Sequence, residues 1–130
     1  MGLFSFLFGS NSIFGRRFVS PVMQERIQSD WKSIDSLLRG GTPSQMRQGL
    51  ITADKTLDSA MKDVFSGETM AERLKNASTR FDKPFYDKIW KAHKMRNSLV
   101  HEAGYEPTYE MLKTSIEILR QAVVLLGVRV

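Results

Sequence analysis

The chain has no cysteine and only two histidines, His93 and His101, among its 130 residues. The missing thiols exclude a disulfide framework, a cysteine nucleophile and any cysteine-ligated zinc or iron–sulfur site. Two histidines cannot build a three-histidine metal centre within one chain, and they leave little material for a mixed histidine–carboxylate site. Neither a metal nor a cofactor is therefore expected. Long apolar runs are also missing. The Phe-rich start, Met1–Gly9, is far shorter than the ~20 residues that cross a bilayer. Its neighbouring charges, Arg16 and Arg17, follow the apolar run instead of preceding it, so the start does not read as a signal peptide. Gly2 follows Met1, but Phe6 stands where an N-myristoylation pattern has Ser or Thr. Glycine-rich phosphate loops and the HExxH, DxDxDG and GxSxG motifs are absent. No stretch sustains a period of two, so no sheet is expected.

What is present fits one ordinary globular domain, with 42% hydrophobic and 25% charged residues. The net charge of +5 leans toward a polyanion such as RNA, DNA or an anionic membrane. Residues 1–19 form a distinct apolar segment. It either packs on protein or lies in a membrane interface through Phe4, Phe6 and Phe8, with Arg16 and Arg17 near headgroups. Residues 20–130 read as helices throughout. Ser20–Pro21 is a helix start, followed by a stripe of Met23, Ile27, Trp31, Ile34 and Leu38 that Gly40–Gly41 ends. Thr42–Pro43 opens a second helix with Met46, Leu50, Ala53, Leu57, Ala60 and Val64 on one face, closed by Gly67.

Thr69-Met70-Ala71-Glu72 is a capping-box pattern for a short helix running to about Ala77. Asp82 and Pro84 begin a fourth helix carrying Phe85, Ile89, Ala92, Met95 and Leu99, and Gly104 stops it. Pro107–Thr108 opens the last, with Leu112, Ile116, Leu119, Val123 and Leu126. The expected fold is all-α: an antiparallel bundle of four long helices plus one short one. Ile118, Val124 and Leu125 lie off the last helix's main stripe. That surplus implies either a dimer contact or a central position for this helix. Trp31, Trp90 and the methionines read as core.

One stretch carries chemistry. In Arg96-Asn97-Ser98-Leu99-Val100-His101, a histidine titrating near neutrality can shuttle the proton of a ribose 2′-hydroxyl. An arginine can clamp the phosphate, and an asparagine can orient either. These types suffice for metal-free RNA cleavage by internal transesterification. Arg96 and His101 lie about 140° apart on a regular helix, whereas Asn97 and His101 share a face. Convergence of Arg96 with His101 needs a relaxed helix end or a second copy, which is a reason to expect a homodimer. Lys88, Lys91 and Lys94, with His93, are the expected RNA-contacting residues. His93 otherwise stands as a single surface histidine. Arg96 has an alternative partner in Asp54 or Asp58, four apart on the second helix.

The RNSLVH stretch, late in an all-α domain and followed by a turn and an apolar helix, resembles the HEPN superfamily. That family's motif is Arg, a polar residue, three to five more residues, then His. Arg96, Asn97 and His101 match its defining positions. The resemblance implies a metal-independent endoribonuclease of the toxin or defence type, acting as a dimer in the cytoplasm. Arg96, Asn97 and His101 would then be catalytic, and RNA, a second copy, and an antitoxin or regulatory protein would be the partners. It equally admits a relative that has lost activity and serves as a binding module. The chain departs at Ala103, where one toxin subgroup carries a tyrosine that its antitoxin modifies.

Overall fold

The computed structural model describes residues 17–130, in which five α-helices and one 3-10 turn form the bundle. Helix α1 spans Pro21–Gly40, α2 Pro43–Val64, α3 Met70–Asn76, α4 Lys83–His101 and α5 Tyr109–Leu125. A 3-10 turn, Ser78–Arg80, lies between α3 and α4. Four long helices and one short one are what the apolar spacing predicts, and no strand occurs among the described residues. The expectation placed on Phe4, Phe6 and Phe8 lies outside these residues. Among the described residues, no helix is long and apolar enough to cross a membrane.

Each long helix starts where a short polar side chain can take an orphan backbone N–H. Ser20 accepts from the Met23 amide at 3.3 Å and donates to Asp63 at 2.7 Å, so one hydroxyl caps α1 and ties it to α2. Thr42 and Gln45 form a reciprocal capping box. Asp82 caps α4 by accepting from Phe85 at 2.9 Å, and Thr108 caps α5 by accepting from Met111 at 3.1 Å. Gly41 ends α1 at φ +70°, the left-handed region that suits glycine. Two expected stops fall elsewhere. Helix α2 ends at Val64, and Gly67 serves the following turn, where its carbonyl accepts from Arg73 at 2.8 Å. Helix α4 ends at His101, three residues before Gly104.

The centre of the bundle is α2, which packs against α1, α3, α4 and α5. It buries Met46, Leu50, Ala53, Leu57, Ala60, Met61 and Val64. The last helix is therefore not the central one. It buries Leu112, Ile116, Leu119, Ala122 and Val123 and leaves Val124 and Leu125 exposed. Met111 is exposed as well, against its reading as core. Gly49 brings α5 close: a Cβ there would sit 3.3 Å from Ile116 Cδ1.

Trp31 is buried between α1 and α2, where its Nε1 donates to Thr56 Oγ1 at 3.0 Å. The same hydroxyl donates to the Ala53 carbonyl at 2.7 Å. Thr56→Val keeps the shape and strands the indole N–H. It is expected to cost about 1–3 kcal/mol, read as a lowered midpoint in chemical denaturation followed by tryptophan fluorescence.

Candidate functional site

The motif residues sit on the C-terminal half of α4, and the structure distributes them in two directions. Arg96 turns inward toward α2, and His101 is exposed on the last helical turn. Helix α4 stays regular through His101. The relaxed helix end that would have joined the two groups within one chain is therefore absent.

Arg96 belongs to a closed ring of polar groups around Asp54 of α2. Asp54 is 1% exposed. Its two oxygens lie 3.2 and 3.1 Å from His93 Nδ1, and Oδ2 lies 3.7 Å from Arg96 Nε. Arg96 Nη1 donates to Asn97 Oδ1 at 2.9 Å. That bond turns the Asn97 Nδ2 toward His93 Nε2, 3.5 Å away. In the neutral ring with its proton on Nδ1, Nδ1 donates to Asp54 and Nε2 accepts from Asn97. The order is Arg96, Asn97, His93, Asp54 and back to Arg96, with the last link made by charge across 3.7 Å and not by a hydrogen bond. Among the described residues, Arg96 Nε is buried without an acceptor, an uncommon state for a native donor.

Burial raises the Asp54 carboxyl above the ordinary carboxylate range, and the His93 hydrogen bond and the His93 and Arg96 charges draw it part of the way back. Asp58, four residues on, pushes it up further. Between the ordinary value and the raised one, the folded chain holds a proton that the unfolded chain has released. The stability this group contributes is therefore full in acid and lost as pH rises through the raised value. Wild type is expected to lose unfolding free energy relative to Asp54→Asn as pH increases from about 4, measured by denaturant titration at several pH values. The opposite trend would contradict the raised value.

Two sequence expectations need correction. His93 is not a surface histidine: it is 7% exposed, set against Asp54 and edge-on to Trp90. It lies at the flank of the face that buries Ile89 and Ala92, which is why it turns inward. Asp58 does not receive Arg96. It binds Arg73, whose Nε and Nη2 lie 2.9 and 2.8 Å from Asp58 Oδ1. Asp54 is the carboxylate that faces Arg96.

Lys88, Lys91 and Lys94 are exposed, as expected. They do not share a face with Arg96. Lys94 and His101, seven residues apart, lie within about 20° of each other around α4. The basic stripe therefore runs toward His101, with Lys94 over the Trp90 ring at 5.9 Å. Trp90 is only partly buried. Between α4 and α5 runs a groove lined by Lys88, Lys91, Met95, Met111 and Ile118. Among the described residues, no three His, Asp or Glu side chains cluster in a way that could hold a metal ion.

The ring around Asp54 was only half visible in the sequence. Asp54 lies beside the apolar stripe of α2, and His93 precedes Asn97 by one helical turn; together these are the available signal. No protein-family model, curated protein or solved structure matches this chain.

Proposed function

We propose that the chain is a metal-independent endoribonuclease of the HEPN type. It would cleave RNA by attack of the ribose 2′-hydroxyl on the adjacent phosphorus, with a site completed by two copies. Arg96 would bind the phosphate, His101 would act as general acid and base, and Asn97 would hold Arg96 in place. The observation that carries this reading is the Arg96–Asn97 hydrogen bond at 2.9 Å, with Asn97 backed by the buried His93–Asp54 pair. The guanidinium is thus pre-oriented by groups that are themselves fixed, as a phosphate clamp requires. His101 stands in solvent on the same side of α4 as Lys94, about two turns away, where an RNA strand would have access. Because Arg96 and His101 diverge on a regular helix, the reading requires that one copy's histidine meet the other's arginine.

The test is incubation of the purified chain with unstructured RNA in EDTA. Products ending in 2′,3′-cyclic phosphate are expected. RNA that stays intact across many substrates would sink the reading.

A second reading, a non-catalytic helical binding module, is favoured by one observation. Arg96 is engaged inward with Asp54 and Asn97, and its side chain is only a third exposed. The variants argued in the Discussion separate the two.

A further inference from the structure

The bundle has an apolar pole that the motif does not use. It lies where α1 begins and α5 ends. The Val19 amide donates to the Leu126 carbonyl at 3.1 Å and joins the two ends. Around this junction Phe18, Val22, Val124 and Leu125 are 49%, 73%, 42% and 46% exposed. Phe18 packs closely on Gly127, where an added Cβ would meet Phe18 at 3.1 Å.

Two arginines crowd this pole, and the nearby Asp63 carboxylate is engaged by the Ser20 amide and hydroxyl. Arg80 donates to the Arg17 carbonyl at 2.7 Å and to the Leu125 carbonyl at 3.2 Å. Both guanidinium groups lie against the Phe18 ring, at 5.5 Å for Arg17 and 5.3 Å for Arg80. Among the described residues, neither pairs with a carboxylate. Burial and the Arg17 charge together lower the Arg80 pKa, so an anion placed here would relieve both cations.

The sequence leading into this pole has the same chemistry. No Asp or Glu occurs before Glu25, whereas Phe4, Phe6, Phe8, Phe14, Phe18, Arg16 and Arg17 all do. Aromatic side chains beside arginines, without carboxylates, suit the boundary between headgroups and acyl chains.

We propose that this pole docks on an anionic lipid surface, with Phe18, Val22 and Leu125 entering the interface and Arg17 and Arg80 binding headgroup phosphates. The surface lies on the membrane and does not span it. Helix α5 runs 17 residues from Tyr109 to Leu125, about 25 Å, and α4 ends at His101 just before the turn that leads into α5. Docking would therefore leave the His101 end of α4 pointing away from the lipid. The proposal does not depend on ribonuclease activity.

The experiment is flotation of the full chain with vesicles of phosphatidylcholine alone and of equal parts phosphatidylcholine and phosphatidylglycerol. Binding is expected to the mixed vesicles, weakening with salt and remaining much lower on phosphatidylcholine. The Val22→Ser, Leu125→Ser double variant changes exposed side chains only, and its fold is checked by circular dichroism. It is expected to partition about tenfold less. Arg17→Gln is expected to lose part of the anionic preference. Equal binding by the double variant, absence of binding by wild type, or loss of vesicle binding when excess single-stranded RNA is added would each overturn the proposal. A dimer that the double variant dissociates, without any vesicle binding, would overturn it in favour of a second copy.

Discussion

Replacing Asp54 with alanine is expected to lower the unfolding free energy by about 3–5 kcal/mol. This rivals the whole stability of many domains, about 5–15 kcal/mol. The reason is the arrangement and not the strength of one bond. Asp54 faces His93 Nδ1 with both oxygens and Arg96 Nε with one. Its loss leaves a buried imidazole N–H without an acceptor, an arginine without a counter-charge, and a hole against α4. The raised carboxyl pKa shows that His93 and Arg96 offset only part of the cost of burying the charge, so the loss is carried by the stranded partners and the hole. Asp54→Asn keeps the volume and one acceptor and is expected to cost less. Arg96→Ala, which leaves the Asp54–His93 pair intact, is also expected to cost less, since Arg96 is a third exposed. Guanidinium denaturation at pH 7 ranks the three. An Asp54→Ala variant within 1 kcal/mol of wild type would show that the ring is not a structural unit.

His101→Ala is expected to reduce RNA cleavage by about 10²–10⁴-fold, the usual contribution of a general acid or base. It should leave stability within about 0.5 kcal/mol, because the side chain is exposed. Activity and folding are thus separated in one variant, which Arg96→Ala cannot achieve alone. Arg96→Lys adds the missing control. It keeps the positive charge and removes the planar fork that grips a phosphate and Asn97 together, so a large loss of rate is expected here too. If one copy's His101 serves the other's Arg96, mixing the two inactive variants should restore part of the activity. Cleavage unchanged in both variants would leave the inward-held Arg96 as a binding or purely structural residue.

The helices and their starts were legible because the signals are local. Ser20, Thr42, Asp82 and Thr108 each cap the helix that their sequence context announces. Apolar spacing identified which face of each helix is buried. It could not say which helix lies at the centre. Stripes on α2 and α5 look alike along the chain, yet α2 alone has neighbours on four sides. The candidate site was legible in kind but not in arrangement. The divergence of Arg96 and His101 follows from helix geometry within α4 and survived intact. The ring around Asp54 depends on which turn of α2 meets which turn of α4, and no periodicity within one helix encodes that. Hence His93, read from α4 alone, falls on the wrong side of the surface.

The central place of α2 bears on how the chain is made. Its contact with α5 joins residues more than two helices apart in sequence, as Gly49 against Ile116 illustrates. During synthesis α1 through α4 leave the ribosome before α5, and the α5-facing surface of α2 stays bare until α5 emerges. The final turn then sets the tie between Val19 and Leu126. A nascent chain stalled before Tyr109 would thus carry the apolar α5-facing side of α2 uncovered, the state that chaperones recognise.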